Sequence, residues 1–390
     1  MKKLFKKAIM FLLVSCFLTG GMGCSSKTDN SANNSENQSE ETKKTIDELV
    51  DFVISADENR EFRILQITDL QVIDPGQSRY PQRLNSVTPL SEKQLYENGF
   101  YYIEQAVKKT TPDLILFTGD IVYGEFDDDG SVLTKIVAFM EKLNIPWAPV
   151  FGNHENESAK GVTWQCNQFI NAKNCLFKRG KITGNGNYSI GIKKNGRLIK
   201  VIYMMDSNGC SNAYRYSYKP TLGPYNQGEK IRTSVGFAKD QTDWLDSQSA
   251  EIEKNLGYSP SKFLACHIPL DEYAKACYEN GYQSNKLPSN TETFDIDSMT
   301  NKVNGDFGAK EESFSSFENE DLWNILKTRK FDGVFAGHNH INSLSVVYNG
   351  IRLTYGLKTG TFDYCDRTKV GGTLILLENE SFSVSHCYVK

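Results

Sequence analysis

No two of the nine cysteines form a CxxC pair, and without that spacing a zinc knuckle is not what they build. Positive charge is not in surplus: the formal net charge is −4 at pH 7. No Lys/Arg cluster interleaved with aromatics stands near the histidines, so nucleic acid is a disfavoured partner. No segment repeats along the chain. Histidine is scarce, five in 390 residues. What is abundant is ordinary: 39% hydrophobic residues, with 19 Tyr and 22 Phe, belong to a soluble globular chain and not to a disordered or multi-span one. A chain of 390 residues exceeds the usual single domain, although one α/β core with a leader and a linker reaches that length.

At the N-terminus Lys2, Lys3, Lys6 and Lys7 precede an apolar run from Ala8 to Leu18, and Gly20-Gly21-Met22-Gly23-Cys24 follows. That is the pattern of a secretory leader. The run is interrupted by Ser15 and Cys16 and falls short of the ~20 residues of a spanning helix. The small residues before Cys24 and the polar segment after it resemble the processing site of bacterial lipoproteins. The resemblance implies a leader over 1–24, lipidation of Cys24 and anchoring to the outer face of a bacterial membrane. Leu13-Val14-Ser15-Cys16 is an alternative box, but it leaves an apolar run of only about seven residues. Residues 25–48 begin SSKTDNSANNSENQSEETKK, too polar to offset the entropy of ordering, and read as a flexible tether ahead of a domain over 49–390. Loss of the leader, with four lysines and no acids, takes the formal charge from −4 to −8. Seven cysteines lie beyond Cys24, an odd number, and Cys166 with Cys175 is at best a local disulfide.

Ile46, Leu49, Val50 and Val53 fall at helical spacing and suggest a short amphipathic helix leading into the domain. Strands are expected over 62–68 (FRILQIT), 114–118 (LILFT) and 147–151 (WAPVF), with helices over 95–108 and 132–143 between them. The strands run into Asp69, Gly119-Asp120 and Gly152-Asn153-His154 respectively. Later strands are expected over 198–205, 263–266, 333–336, 344–348 and 373–377. Alternating strands and helices with polar residues at strand ends imply an α/β sandwich whose site lies along one edge of the sheets.

Of the five histidines, His154, His267, His338 and His340 stand at or just after expected strand ends. With Asp69, Asp120 and Asn153 they make a nitrogen and oxygen donor set suited to zinc, manganese or iron. Taken singly, each has a bland reading: a Gly-Asp at a strand end is usually a turn or a cap, and a lone histidine is usually hydrogen-bonded structure. Gly337-His338-Asn339-His340 is more specific, because two imidazoles two residues apart leave an extended backbone in one direction and can address adjacent metals.

Asp69-Leu70-Gln71, Gly119-Asp120, Gly152-Asn153-His154-Glu155, Cys266-His267 and Gly337-His338-Asn339-His340 resemble, in order and spacing, the five motifs of calcineurin-like metallophosphoesterases. TPDLILFTGD, IPWAPVFGNHE and HIPLDEY are similar to the purple-acid-phosphatase-like branch. The resemblance implies a metallophosphoesterase-type β-sandwich of two mixed sheets flanked by helices, with the metal site at the strand ends. It further implies hydrolysis of phosphate mono- or diesters by a bridging hydroxide between two metal ions, Fe, Mn or Zn. Asp120 would bridge them, Asp69 and His340 would hold the first, and Asn153, His267 and His338 the second. His154 would stay unliganded and protonate the leaving group.

One departure from the motifs concerns the first metal. Many relatives carry Asp-x-His where this chain has Gln71, so a ligand is missing. Gly119-Asp120-Ile121-Val122-Tyr123 resembles the GDxxY of purple acid phosphatases, in which the tyrosine binds ferric iron. Tyr123 is thus either the replacement ligand or a packing residue. The departure also keeps open a catalytically weak metal- or phosphate-binding lipoprotein.

Two other features carry no chemistry. The run 125–130 (EFDDDG) begins like a calcium loop, but Ile136 stands where the bidentate Glu belongs, so it reads as a solvated loop. Ser207 has no GxSxG elbow around it and reads as structural. Segments 208–237 and 271–317, polar and rich in Tyr and Asn, are the expected rims of the cleft.

Overall fold

The computed structural model describes residues 43–78, 88–127, 129–209, 236–282, 292–303, 305–317, 319–378 and 381–390. The leader, Cys16, Cys24, most of the tether, Cys210 and most of the rim segment 208–237 lie outside these residues.

Two mixed sheets form the body. The first has five strands in the order Phe382–Tyr388, Gly371–Leu377, Phe62–Ile67, Leu114–Thr118, Trp147–Val150, the last three mutually parallel. The second has seven in the order Phe52–Ser55, Tyr188–Lys194, Arg197–Met204, Ser261–Ala265, Gly333–Ala336, Ile351–Tyr355, Ser345–Tyr348. The four strands from Arg197–Met204 to Ile351–Tyr355 are parallel. Alternation sorts their side chains: Ile202, Met204, Phe263, Ala265 and Phe335 join the core shared with the five-stranded sheet. Val201, Tyr203, Leu264, Val334 and Leu353 join a second core beneath the helices Lys239–Leu256, Glu272–Glu279 and Glu320–Thr328. Strands buried on both faces read as near-continuous apolar runs, which is why LILFT and GVFA stand out in the sequence.

Parallel strands place all their C-terminal ends on one side. Asp69, Asp120 and Asn153-His154 leave the ends of the five-stranded sheet, and His267, His338 and His340 those of the seven-stranded sheet, so the two sets meet along one edge of the sandwich.

Among the described residues, four strands of the two main sheets escape the sequence reading, Phe52–Ser55, Tyr188–Lys194, Ile351–Tyr355 and Phe382–Tyr388, as does the short pair Phe294–Asp295 with Ala309–Lys310. Ile351–Tyr355 pairs with Ser345–Tyr348 across Asn349-Gly350, both at positive φ (50° and 82°), the left-handed pair that a two-residue hairpin turn requires. The helix expected through Val53 stops at Leu49, held by a capping box at Thr45, and Val50 is already extended. Residues 52–55 pair instead with Tyr188–Lys194. The tether expected to reach residue 48 therefore overlaps the domain, since Lys43–Lys390 is one compact unit. Cys166 and Cys175 are buried and both free, so no disulfide joins them. The loop expected to be solvated at 125–130 is also different: Glu125, Phe126 and Asp127 are buried, around a short helical turn at Gly124–Phe126.

Candidate metal centre

The loops leaving the strands turn sharply, and four of their residues do so in the left-handed region: Asp69 (φ 52°), Gln71 (46°), Asp120 (50°) and His338 (74°). Such conformations cost non-glycine residues roughly 1–2 kcal/mol each and concentrate at functional sites. Backbone bonds tie the loops together. Asp69 N donates to Gly119 O (3.1 Å), Gln71 N to Asp120 O (2.9 Å) and Gly337 N to His267 O (2.9 Å). Gly119 is required twice over, by its φ of 85° and because a Cβ there would meet His267 Nδ1 at 2.6 Å. Glu155, fully buried, accepts the amides of Asp120 (3.1 Å), Val122 (3.3 Å) and Gly152 (2.6 Å), locking the Asp120 and Asn153 loops to each other.

One side of the centre turns its donors inward to a common point. His267 Nδ1 lies 2.8 Å from Thr118 O. A carbonyl only accepts, so Nδ1 carries a proton, and Nε2 is the nitrogen that would offer a lone pair to a metal, giving up its own proton on binding. That Nε2 stands 3.1 Å from Asp120 Oδ2 and 3.3 Å from His338 Nδ1. Asp120, His267 and His338 each offer an atom, all within 4.8 Å of one another. Asn153 Oδ1 is buried and has no hydrogen-bond partner, a cost of about 1–3 kcal/mol for a structural amide and the expected state of a metal ligand. A divalent cation fits the three clustered groups, and Asn153 is chemically suited to join them. The field they make points the same way: burial opposes charge on His267, yet the Asp120 and Asp69 carboxylates outweigh it and push its pKa up to about 10.

The other side is organised differently. The Asp69 carboxylate accepts from Thr68 Oγ1 (2.8 Å) and His338 N (2.9 Å), and burial, with Asp120 adding to it, raises its pKa to about 6. His340 Nδ1 lies 3.1 Å from Tyr364 O, its ring is stacked on Tyr364 at 4.1 Å, and its Nε2 is 3.6 Å from Asp69 Oδ1. Burial, and next the charge of Lys358, hold the His340 imidazole neutral, well below its ordinary pKa. Gln71 Nε2 donates to Asp120 Oδ2 (3.0 Å), and Gln71 Oε1 accepts from Lys358 Nζ (3.2 Å). Lys358, 1% exposed, also donates to Asp69 O (2.6 Å). A carboxylate on one side and an ammonium on the other fix the orientation of the Gln71 amide. Asp69 and His340 suit a metal here, whereas the Gln71 and Lys358 donors do not.

His154 lies beside both sides without joining the donor cluster. Its N donates to Asp120 Oδ1 (2.9 Å), and its Nδ1 meets Glu157 Oε2 at 2.7 Å. With Nδ1–H held by Glu157, Nε2 stands on the side of Asp120, 3.9 Å from its Oδ2. The ring of Tyr123 packs on that of His154 at 3.9 Å and on Phe126 at 4.9 Å. Ser207 is buried, with its Oγ accepting from Ile268 N (3.0 Å), and so braces the His267 loop.

Three participants escape the sequence reading. Glu155 and Glu157 sit in the quoted Asn153-His154-Glu155 stretch and its extension, and the His154-to-Glu157 spacing of three residues was the available signal. Lys358 follows the overlooked strand Ile351–Tyr355 by three residues, so finding that strand would have exposed it.

The family model described as calcineurin-like phosphoesterase matches residues 62–342. The chain is 26% identical over 334 residues, 80% of its length and 75% of the relative's, to a protein of Arabidopsis thaliana called probable inactive purple acid phosphatase 29. It is 28% identical over 232 residues, 54% of its length and 35% of the relative's, to Phosphatase DCR2 of Saccharomyces cerevisiae. A solved structure of purple acid phosphatase PPD1 from yellow lupin (Lupinus luteus) seeds superposes with a TM-score of 0.42 at 13% identity, covering 83% of this chain and 51% of that one. The chain thus spans about half the lupin protein and about a third of the yeast one.

Proposed function

The chain belongs to the calcineurin-like phosphoesterase family, and on that premise we propose that it hydrolyses phosphate mono- or diesters at a metal centre held by Asp120, Asn153, His267 and His338. The observation that carries this is the set of Asp120, His267 and His338 donors, all within 4.8 Å of one another, with Asn153 Oδ1 buried and unpartnered at the end of a neighbouring strand. A cation bound there would polarise a phosphate oxygen and bring a water's pKa from 15.7 toward ~7. His154, its Nδ1 held by Glu157, protonates the departing oxygen from Nε2. The test is turnover of p-nitrophenyl phosphate and bis(p-nitrophenyl) phosphate by wild type and Asp120→Asn. Hydrolysis of at least one ester by wild type, lost in the folded variant, supports the reading. Equal turnover by both sinks it.

A second reading, a catalytically weak metal- or phosphate-binding protein, draws support from Gln71 and Lys358 and from the word inactive in the Arabidopsis relative's name. The His154–Glu157 pair weighs against it, because a binding site needs no leaving-group acid. We also propose that Cys24 is the lipidated first residue of a protein tethered at the outer face of a bacterial membrane. Cys24→Ala should move the protein from the membrane to the soluble fraction, and persistent lipid labelling would shift the anchor to Cys16 or to an uncleaved leader.

A further inference from the structure

A second cation in this centre would have to share Asp120 with the first, and the hydrogen bonds around Asp120 leave it little to share. Oδ1 accepts from His154 N (2.9 Å). Oδ2 faces His267 Nε2 on one side and accepts the Gln71 amide on the other (3.0 Å). A carboxylate oxygen has about two lone-pair sites, so the one on the Gln71 side of Oδ2 already holds a proton donor. Behind that amide lies Lys358 Nζ, fixed by Gln71 Oε1 (3.2 Å) and by Asp69 O (2.6 Å). Burial lowers the pKa of this ammonium, and the Asp69, Asp363 and Asp120 carboxylates oppose that shift. A buried ammonium repels a second cation far more strongly than one in water does. Both residues leave strand ends of the sheets that build the centre, Gln71 after Phe62–Ile67 and Lys358 after Ile351–Tyr355. They reach each other because Thr68 bridges Lys358 in parallel.

We infer that Lys358 and Gln71 take the place of the first cation, so that the centre binds one metal ion, at Asp120, Asn153, His267 and His338. The inference rests on the reading of the site as a metal centre. Lys358 acts as a positioning residue: it supplies a fixed positive charge to the Asp69 side, and Gln71 relays it as a hydrogen bond to the shared carboxylate. Asp69 then serves mainly to hold the His338 backbone amide.

The test counts metal. Wild-type protein equilibrated with excess Mn(II) and desalted is expected to retain one equivalent by elemental analysis, with the electron paramagnetic resonance spectrum of an isolated Mn(II). The double variant Gln71→His with Lys358→Met restores an imidazole and removes the ammonium, and is expected to retain a second equivalent with an exchange-coupled spectrum. Two equivalents in wild type, or a coupled spectrum there, overturn the inference while leaving metal-dependent hydrolysis standing. A folded double variant that stays at one equivalent also overturns it, and if that variant does not fold the wild-type count decides alone. One equivalent without hydrolysis of any ester keeps the inference and removes the proposed function. No retained metal removes both.

Discussion

The two sides of the centre use the same scaffolding to opposite ends. On the side of His267, His338 and Asn153, His267 is anchored through Nδ1 on Thr118 O, its Nε2 stands 3.3 Å from His338 Nδ1, and Asn153 Oδ1 has no hydrogen-bond partner. On the side of Gln71 and Lys358, the Gln71 amide donates to the Asp120 carboxylate, and the Lys358 ammonium donates to the far end of that amide and to the Asp69 carbonyl. Left-handed turns shape both, at Asp120 and His338 on one side and at Asp69 and Gln71 on the other. The backbone fixes where the groups stand, and the side chains decide whether that place offers acceptors or donors.

Breaking the first side should cost most. His267→Ala removes a ligand and the partner of Asp120 Oδ2. With a bound cation worth several kcal/mol of transition-state stabilisation, turnover should fall by on the order of 10³-fold, and metal content should fall with it. Retained metal and near wild-type turnover would show that His267 is structural. His154→Ala comes next, with a loss of about 10²-fold, the low end of what a general acid contributes. That loss should shrink for p-nitrophenyl esters, whose leaving group needs little protonation, compared with alkyl esters. Glu157→Gln keeps the shape but weakens the hold on Nδ1 and should cost roughly 10–100-fold, as for other partners that orient a functional imidazole. A loss independent of the leaving group in both variants would assign these residues to folding instead. The smallest effect belongs to Tyr123→Phe. If the ring only packs on His154, the change removes no more than a hydrogen bond of about 1 kcal/mol, and turnover should fall a few-fold at most. A visible absorption band lost with the hydroxyl would instead identify Tyr123 as a ligand of ferric iron.

The order of strands and helices was legible because the central strands are buried on both faces and spell continuous apolar runs, as at 114–118 and 333–336. Edge strands such as Phe382–Tyr388, with burial alternating along their length, give a weaker signal among polar residues and went unread. Phe52–Ser55 was absorbed into a helical spacing that its neighbours Ile46 and Leu49 begin. The donors of the centre were legible because they immediately follow readable strands. Lys358 is not, because it follows a short strand that is entered through the Asn349-Gly350 turn and carries no long apolar run of its own. Gln71 was recognised as a departure, but its partner could not be, since 287 residues separate them along the chain.

The most direct measurement of metal-dependent ester hydrolysis is turnover of p-nitrophenyl phosphate and bis(p-nitrophenyl) phosphate by protein stripped with chelator and then titrated with Mn(II) or Zn(II). The expected result is loss of turnover on stripping and recovery that saturates as the metal binds. Full turnover by metal-free protein in excess chelator would contradict it.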